Sequence, residues 1–193
     1  MANAKIWAIA ILILAAGLFF VQRAKSRYTS QEEAIFIGNT TEIQRVGIQK
    51  GGQAVELLKA GDDWRIAGND SLEVRQDRIQ DLLKKVLAVK RTTVMTENPE
   101  RWATYSVDDS SGTHLRLFDR NDRSLGHFVF GESLSDWSRN YVRIDPRASV
   151  YLTDEGVIHE LGTEATFWGE KPSQKPADST RVGPREGRIR DEG

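Results

Sequence analysis

The sequence has no cysteine among its 193 residues, and it has only three histidines and two methionines. The missing cysteines exclude disulfide bonds, thiolate metal sites, a cysteine nucleophile and a lipid attached through a cysteine. They do not decide the redox compartment, because a protein that needs no thiol can function on either side of a membrane. An excess of charge of one sign is also missing, since the formal net charge is −1. We therefore expect no nucleic-acid partner.

The remaining composition is close to that of an ordinary globular protein, with a hydrophobic share of 39% and a charged share of 28%. This balance excludes a disordered chain and a membrane protein with many spans. The length suits one membrane anchor and one domain.

The one long hydrophobic run lies at residues 6–21, which read IWAIAILILAAGLFFV without a charge. As an α-helix it would be about 24 Å long, and flanking lysine and arginine side chains extend it to the width of a bilayer. A buried core helix would be amphipathic, and a cleaved signal peptide needs a small-x-small site that residues 21–25 lack. We predict a single transmembrane helix in contact with membrane lipid. Its anchor residues are Ile6, Trp7, Leu12, Leu14, Gly17, Phe19, Phe20 and Val21.

The charges that flank this segment leave its direction open. Arg23, Lys25 and Arg27 outweigh Lys5 and the terminal amine, and the positive-inside rule then favours a cytoplasmic domain. Anchors with very short leading tails, however, often insert with the tail in the cytoplasm, whatever the number of flanking charges.

The rest of the chain divides into a stalk at 28–41, a water-soluble domain at 42–168 and a polar tail at 169–193. Within the domain, alternating patterns at 42–48, 54–59 and 64–66 predict a three-stranded meander with turns at 50–53 and 60–63. Apolar residues at helical spacing predict an amphipathic helix across 75–90. Further strands follow at 92–95, 114–118, 125–130, 141–144 and 150–152. Between the first two of these, Asn98 followed by Pro99 predicts a short helical turn at 98–102. These elements predict an α+β fold, in which a small antiparallel sheet carries a packed amphipathic helix. The tail is rich in Pro, Gly and charge, so a partner is needed to order it.

No pattern in the sequence indicates catalysis, a metal or a cofactor. His114, His127 and His159 lack the close spacing of metal ligands, so we interpret them as structural. Residues 119–122 resemble the start of a calcium loop but lack its glycine and its closing glutamate, and an ordinary hairpin turn fits better. The acidic pairs at 62–63 and 108–109 stand in turn sequences, where aspartate is expected. We expect a protein that is not an enzyme.

The tryptophans offer candidate contacts with a partner. Core packing accounts for most of them, including Trp64 and Trp102. Trp137 and Trp168 stand beside serine and glycine in loop-like sequence, where an exposed aromatic side chain can anchor another protein.

Several markers stand in a recognisable order along residues 42–152. They are VELLKAGDDWRI at 55–66, Asn98-Pro99, YSVD at 105–108, GTHLRL at 112–117, Phe130-Gly131 and YVR at 141–143. This order resembles an uncharacterised bacterial domain family that is often encoded beside, or fused to, auxiliary components of gliding-motility-type ABC transporters. The resemblance implies a domain outside the cytoplasmic membrane, and it implies no catalytic residues.

We therefore expect a non-catalytic accessory or scaffold subunit of a bacterial inner-membrane complex, in contact with other integral membrane subunits and with a periplasmic domain. The resemblance implies that this complex is an ABC-transporter-type assembly. The alternatives are a photosynthetic or respiratory complex that the chain stabilises, and a periplasmic ligand-binding module.

Overall fold

The computed structural model describes residues 29–172, and its main feature is one antiparallel sheet of nine strands. Two very short strands, β5 and β11, form a separate pair. The strands are β1 (Thr29–Ala34), β2 (Arg45–Lys50), β3 (Gln53–Ala60), β4 (Asp63–Ile66), β5 (Glu73–Val74), β6 (Lys90–Thr96), β7 (Thr113–Phe118), β8 (Ser124–Glu132), β9 (Asn140–Ile144), β10 (Val150–Thr153) and β11 (Gly169–Glu170).

The strand order across the sheet is β1-β6-β10-β9-β8-β7-β2-β3-β4. The two meanders, β2-β3-β4 and β7-β8-β9-β10, are joined edge to edge by the pairing of β2 with β7. The turns that close the first meander fall at the predicted places. Gly51 and Gly61 have φ angles of +57° and +68° there, a left-handed conformation that glycine adopts without steric cost.

The helices are short pieces beside this sheet. They are α1 (Gln76–Asp81), which continues into a π-helical turn at Leu82–Val86, and α2 (Ala165–Trp168). Three 3-10 turns lie at Thr40–Glu42, Pro99–Tyr105 and Ile158–Glu160.

The predicted α+β class, with a small antiparallel sheet and a packed amphipathic helix, is therefore wrong. Pairing between β2 and β7 merges the predicted meander and the further predicted strands into one large sheet, so the fold is mainly antiparallel β. The helical segment is shorter than predicted because it turns π-helical at Leu82 and the chain enters β6 at Lys90. Its apolar stripe is nevertheless buried, at Ile79, Leu82, Val86 and Leu87.

The chain also departs from the predicted arrangement near both ends of the described part. Residues 29–34 were predicted as stalk, and they form the edge strand β1, which pairs with β6. The first two residues of the predicted tail form β11. The predicted membrane anchor and most of the tail lie outside the described residues. Among the helices that are described, none is long and apolar enough to cross a membrane.

The two faces of the sheet carry different side chains. One face holds the main core, where α1, α2 and the turn at Ile158–Glu160 cover residues such as Val46, Leu57 and Phe128. The opposite face carries a smaller apolar cluster, in which Val107, Val129 and Val150 are buried beneath the turn Pro99–Tyr105. Next to this cluster the second face is polar, and we call this area, which spans β3, β2, β7, β8 and β9, the polar face.

Candidate functional site

The structure separates the two tryptophans that were predicted to contact a partner. Trp137 lies in the loop between β8 and β9 with an exposed fraction of 85%, and Leu134 in the same loop is 83% exposed. Trp168 is only 1% exposed, and its indole N–H donates to the carbonyl of Gly162 at 2.7 Å. Trp168 is therefore a core residue, and its prediction as a surface contact is wrong. Its neighbours in sequence look loop-like, but α2 turns the side chain into the core.

The loop that carries Trp137 is held in place by its own polar groups. The Asp136 carboxylate accepts from the backbone N–H of Ser138 at 3.0 Å and from the Ser138 hydroxyl at 2.6 Å. These bonds lower the pKa of Asp136. Gly156 packs beneath the loop so closely that a Cβ there would lie 3.2 Å from the carbonyl oxygen of Trp137. The exposed indole thus stands on a braced loop.

Two histidines that appeared unrelated in the sequence meet on the polar face. His114 Nδ1 and His127 Nε2 are 3.0 Å apart, and the rings stack with centroids 5.2 Å apart. His127 Nδ1 lies 2.7 Å from a carboxylate oxygen of Asp145. His159 lies on the turn Ile158–Glu160, and its side chain is 71% exposed. The register of the β7–β8 hairpin places Arg116 opposite His127, so His114 and His127 are diagonal neighbours on one face. The register of this hairpin is the feature that would have predicted the histidine pair from the sequence.

An almost fully buried arginine extends this cluster. The Arg143 guanidinium contacts Asp145 at 3.0 Å and Asp109 at 2.9 Å, and its Nε donates to the Val107 carbonyl at 3.0 Å. It also lies 3.9 Å from the centre of the Trp102 ring. Arg143 is thereby fixed by two carboxylates, a carbonyl and an aromatic face, which suits a structural role.

Burial lowers the pKa of both imidazoles. For His127 the Asp145 carboxylate opposes this shift, while the charges of Arg116 and Arg143 add to it. Because a carboxylate only accepts, His127 Nδ1 carries a proton, and in the neutral pair His114 Nδ1–H donates to His127 Nε2. No proton then remains for the 3.3 Å contact between His114 Nε2 and the Asp109 carbonyl. The pair can take up one proton to complete its hydrogen bonds, and burial opposes that uptake.

The acidic groups in turns show ordinary structural uses. The carboxylate of Asp119 accepts from the backbone N–H groups of Asn121 and Arg123 at 2.8 and 3.0 Å, as expected for a hairpin turn. Asp108 is bound by Ser110 and Ser111, which lower its pKa. Within residues 29–172 no group of three or more His, Asp or Glu side chains is placed to hold a metal ion.

Two of the open cavities beside the sheet in residues 29–172 have both apolar and polar groups in their lining. One, of about 560 Å³, lies between the segment after β1 and the ends of β8 and β9, with Phe36, Phe128 and Ile144 in its lining. The other, of about 490 Å³, lies over the polar face at β2, β3 and β7, with Gly47, Gln49 and Arg116 in its lining. Both fall within the size range of small-molecule sites.

The fold and these surfaces define an antiparallel sheet domain with one covered face and one partly open polar face. A family model described as "Domain of unknown function (DUF4340)" matches residues 64–178. The chain therefore belongs to the DUF4340 family.

A relative in Treponema pallidum (strain Nichols), described as an uncharacterized protein, is 21% identical over 94 residues. The alignment covers 49% of this chain and 30% of the relative, so the chain matches less than a third of that protein's length. No solved structure matches the chain. Neither the family description nor this relative assigns a function.

Proposed function

We propose that the protein is an accessory subunit of a bacterial inner-membrane complex and that it binds another subunit through the loop of Leu134 and Trp137. The observation that carries the proposal is the exposed indole of Trp137 on a loop braced by Asp136, Ser138 and Gly156.

The physical reason is that an exposed tryptophan is a strong binding group when it is already fixed. A tryptophan side chain offers about 150–250 Å² of contact area, or about 4–6 kcal/mol of apolar burial before the costs of association. Ordering a flexible loop would consume part of that energy. The bonds of Asp136 reduce this cost because the loop is ordered before the partner arrives. Leu134 beside it enlarges the apolar contact.

The membrane part of the proposal rests on the sequence. The uncharged run at 6–21 supports attachment to a bilayer. The resemblance to domains encoded beside auxiliary components of gliding-motility-type ABC transporters supports a periplasmic domain and a transporter as the partner complex.

The proposal is tested by purifying the tagged full chain from membranes in a mild detergent and identifying the co-purifying chains by mass spectrometry. The change Trp137→Ser should remove the partner at unchanged expression. The change Ile37→Ser is the matched control, because Ile37 is 75% exposed on a different segment, and it should retain the partner. A wild-type chain that always purifies alone would overturn the proposal, and so would a Trp137→Ser variant that keeps its partners. Respiratory or photosynthetic subunits among those partners would replace the transporter assignment.

A ligand-binding module is a second candidate function. The cavity over Gly47 and Arg116 favours it, because polar groups converge there on an open space of ligand size.

A further inference from the structure

The polar face has a gap at Gly47 that packing and backbone geometry leave unexplained. Gly47 lies in the middle of β2, and its φ is not positive. A Cβ built on it would meet nothing within 4 Å. The two glycines inside β8 differ in this respect. A Cβ built on Gly126 would lie 2.8 Å from the Phe128 ring, and a Cβ built on Gly131 would lie 2.0 Å from the Tyr105 carbonyl oxygen. Glycine inside a strand often marks close approach of a ligand or of another backbone.

Cross-strand pairing places charged groups on both sides of this gap. Gly47 pairs with Glu56 on β3 and with Arg116 on β7, and Arg116 in turn pairs with His127 on β8. These residues form one row across the polar face. The Glu56 carboxylate is already bound by Arg45 at 2.6 Å.

Arg116 differs from the other arginines of this face in its partners. Arg45 contacts two carboxylates, and so does Arg143. Among residues 29–172 Arg116 forms no ion pair, and its hydrogen-bond partner there is the side-chain oxygen of Gln49 at 3.1 Å. A half-buried guanidinium with unused N–H groups next to an empty space is a binding group for an anion.

Gln49 adds a second donor to the same cavity. A guanidinium only donates, so the amide oxygen of Gln49 must face Arg116, and its NH₂ group is turned to the other side. Phe118 and Ala54 supply apolar surface in the lining. The lining also holds the Glu56 carboxylate and Arg45, which bind each other at 2.6 Å. The cavity thus combines the cation of Arg116, an amide donor, one internal ion pair and apolar contacts in about 490 Å³.

We propose that the cavity over Gly47 binds a small organic carboxylate, with its two oxygens on Arg116 and Gln49 and its apolar part over Gly47. The guanidinium gives one carboxylate oxygen a charge-assisted hydrogen bond, and the amide NH₂ of Gln49 gives the other a neutral donor. The proposal rests on the second candidate function, a ligand-binding module at this cavity. It is independent of the partner contact at Trp137, which lies on the loop between β8 and β9.

Binding at this place should be coupled to the histidine pair. The charged groups around the pair are Arg116 from β7, Arg143 from β9, Asp145 at the end of β9 and Asp109 from the loop before β7. The charge of Arg116 lowers the pKa of both imidazoles. An anion on Arg116 offsets this effect, so the pair should take up protons when the carboxylate binds, in the pH range below the ordinary histidine pKa of 6.5.

The test uses the full chain in a mild detergent and isothermal titration calorimetry with benzoate, and the uncharged analogue benzamide serves as the matched ligand. Benzoate should bind saturably with an affinity of about 1 mM, and benzamide should not bind. Arg116→Gln should weaken benzoate binding at least about tenfold. Gly47→Val should abolish binding by filling the gap, with no loss of thermal stability. Arg101→Gln removes one exposed charge elsewhere and should bind like the wild type.

Heats measured in two buffers of different ionisation enthalpy should report proton uptake on binding. No saturable benzoate binding, equal binding by Arg116→Gln and the wild type, or equal loss in Arg101→Gln would overturn the proposal. Benzoate binding with no proton uptake at any pH of a series that extends below 6.5 would separate the anion from Arg116 and would overturn the proposal as well.

Discussion

Gly47 and Gly131 should respond in opposite ways to the same substitution by alanine. Both lie inside strands of one sheet, and neither has a positive φ, so alanine can adopt either backbone conformation. They differ in what surrounds the new methyl group. This difference predicts both the sign and the size of the change in the free energy of unfolding.

At Gly131 the methyl group would lie 2.0 Å from the carbonyl oxygen of Tyr105 and 2.8 Å from that of Ser106. Both are backbone atoms, so no side-chain rotation relieves the overlap. The turn Pro99–Tyr105 must move away from β8 and loosen its packing on Val107 and Val129. We expect a loss of about 2 kcal/mol or more, in the usual range for overpacking.

At Gly47 the methyl group would enter open space. The gain is then the reduced freedom of the unfolded chain, and we expect a stabilisation of about 0.5–1 kcal/mol. The two variants should therefore differ by about 3 kcal/mol.

Urea unfolding of the full chain in detergent, followed by tryptophan fluorescence, measures both values. Similar m-values would show that the comparison concerns the folded state and not the compactness of the unfolded chain. A Gly47→Ala variant less stable than the wild type would refute the view that the space above β2 is free. A Gly131→Ala variant of wild-type stability would refute the assigned contact with Tyr105.

Two further predictions concern buried polar groups. Burial lowers the folded-state pKa of His114 and His127 below the unfolded value of 6.5. The contribution of the two neutral imidazoles to stability is therefore fully present above pH 6.5. It is lost as the pH falls from 6.5 through the folded-state pKa. His114→Gln should show a shallower loss of stability than the wild type between about pH 7 and about pH 5 in urea titrations, and equal slopes would contradict the assignment. Trp168→Phe removes the donor to the Gly162 carbonyl and should cost about 1–3 kcal/mol in the same assay, whereas an unchanged midpoint would mean that water replaces the bond.

The local elements of the fold were predictable from the sequence. The glycines at Gly51 and Gly61 marked the turns of the first meander, and Asn98 was confirmed as the cap of a short helical turn, with its side chain accepting from the N–H of Glu100 at 3.0 Å. Such signals act over a few residues, and tertiary structure seldom overrides them.

The assembly of these elements was not predictable in the same way. The pairing of β2 with β7 brings Val46 opposite Leu117, and nothing near either residue specifies that partner. The nine-stranded sheet, larger than the small sheet predicted, depends on this pairing. The burial of Trp168 is also non-local, because the backbone beside it packs against Ile66 and Leu72 from the other end of the domain.

The candidate site depended on the same non-local register. The polar residues of β2, which are Arg45, Gly47 and Gln49, have the appearance of the solvent face of an ordinary strand when they are read alone. Arg116 joins Gly47 and Gln49 only when the register of β2 with β7 is known. Prediction of the histidine pair requires less information, because the register of the single β7–β8 hairpin brings His114 and His127 together.

A solvent-facing position in a central strand ordinarily favours a β-branched or aromatic residue, which packs against its cross-strand neighbours. At Gly47 such a side chain would cover Glu56 and Arg116 and would strengthen the sheet. With glycine at this position, that side-chain contact is not made. The rest of the polar face is better packed, since Arg45 and Arg143, two of its three arginines, contact carboxylates. The missing side chain at Gly47 and the lack of an ion pair at Arg116 within residues 29–172 therefore have a single explanation if a carboxylate occupies the space between them. Separate explanations would require the sheet to be weakened at Gly47 and Arg116 to be left unpaired for unrelated reasons. Because alanine at Gly47 should raise stability while it reduces benzoate binding, one variant distinguishes the two cases.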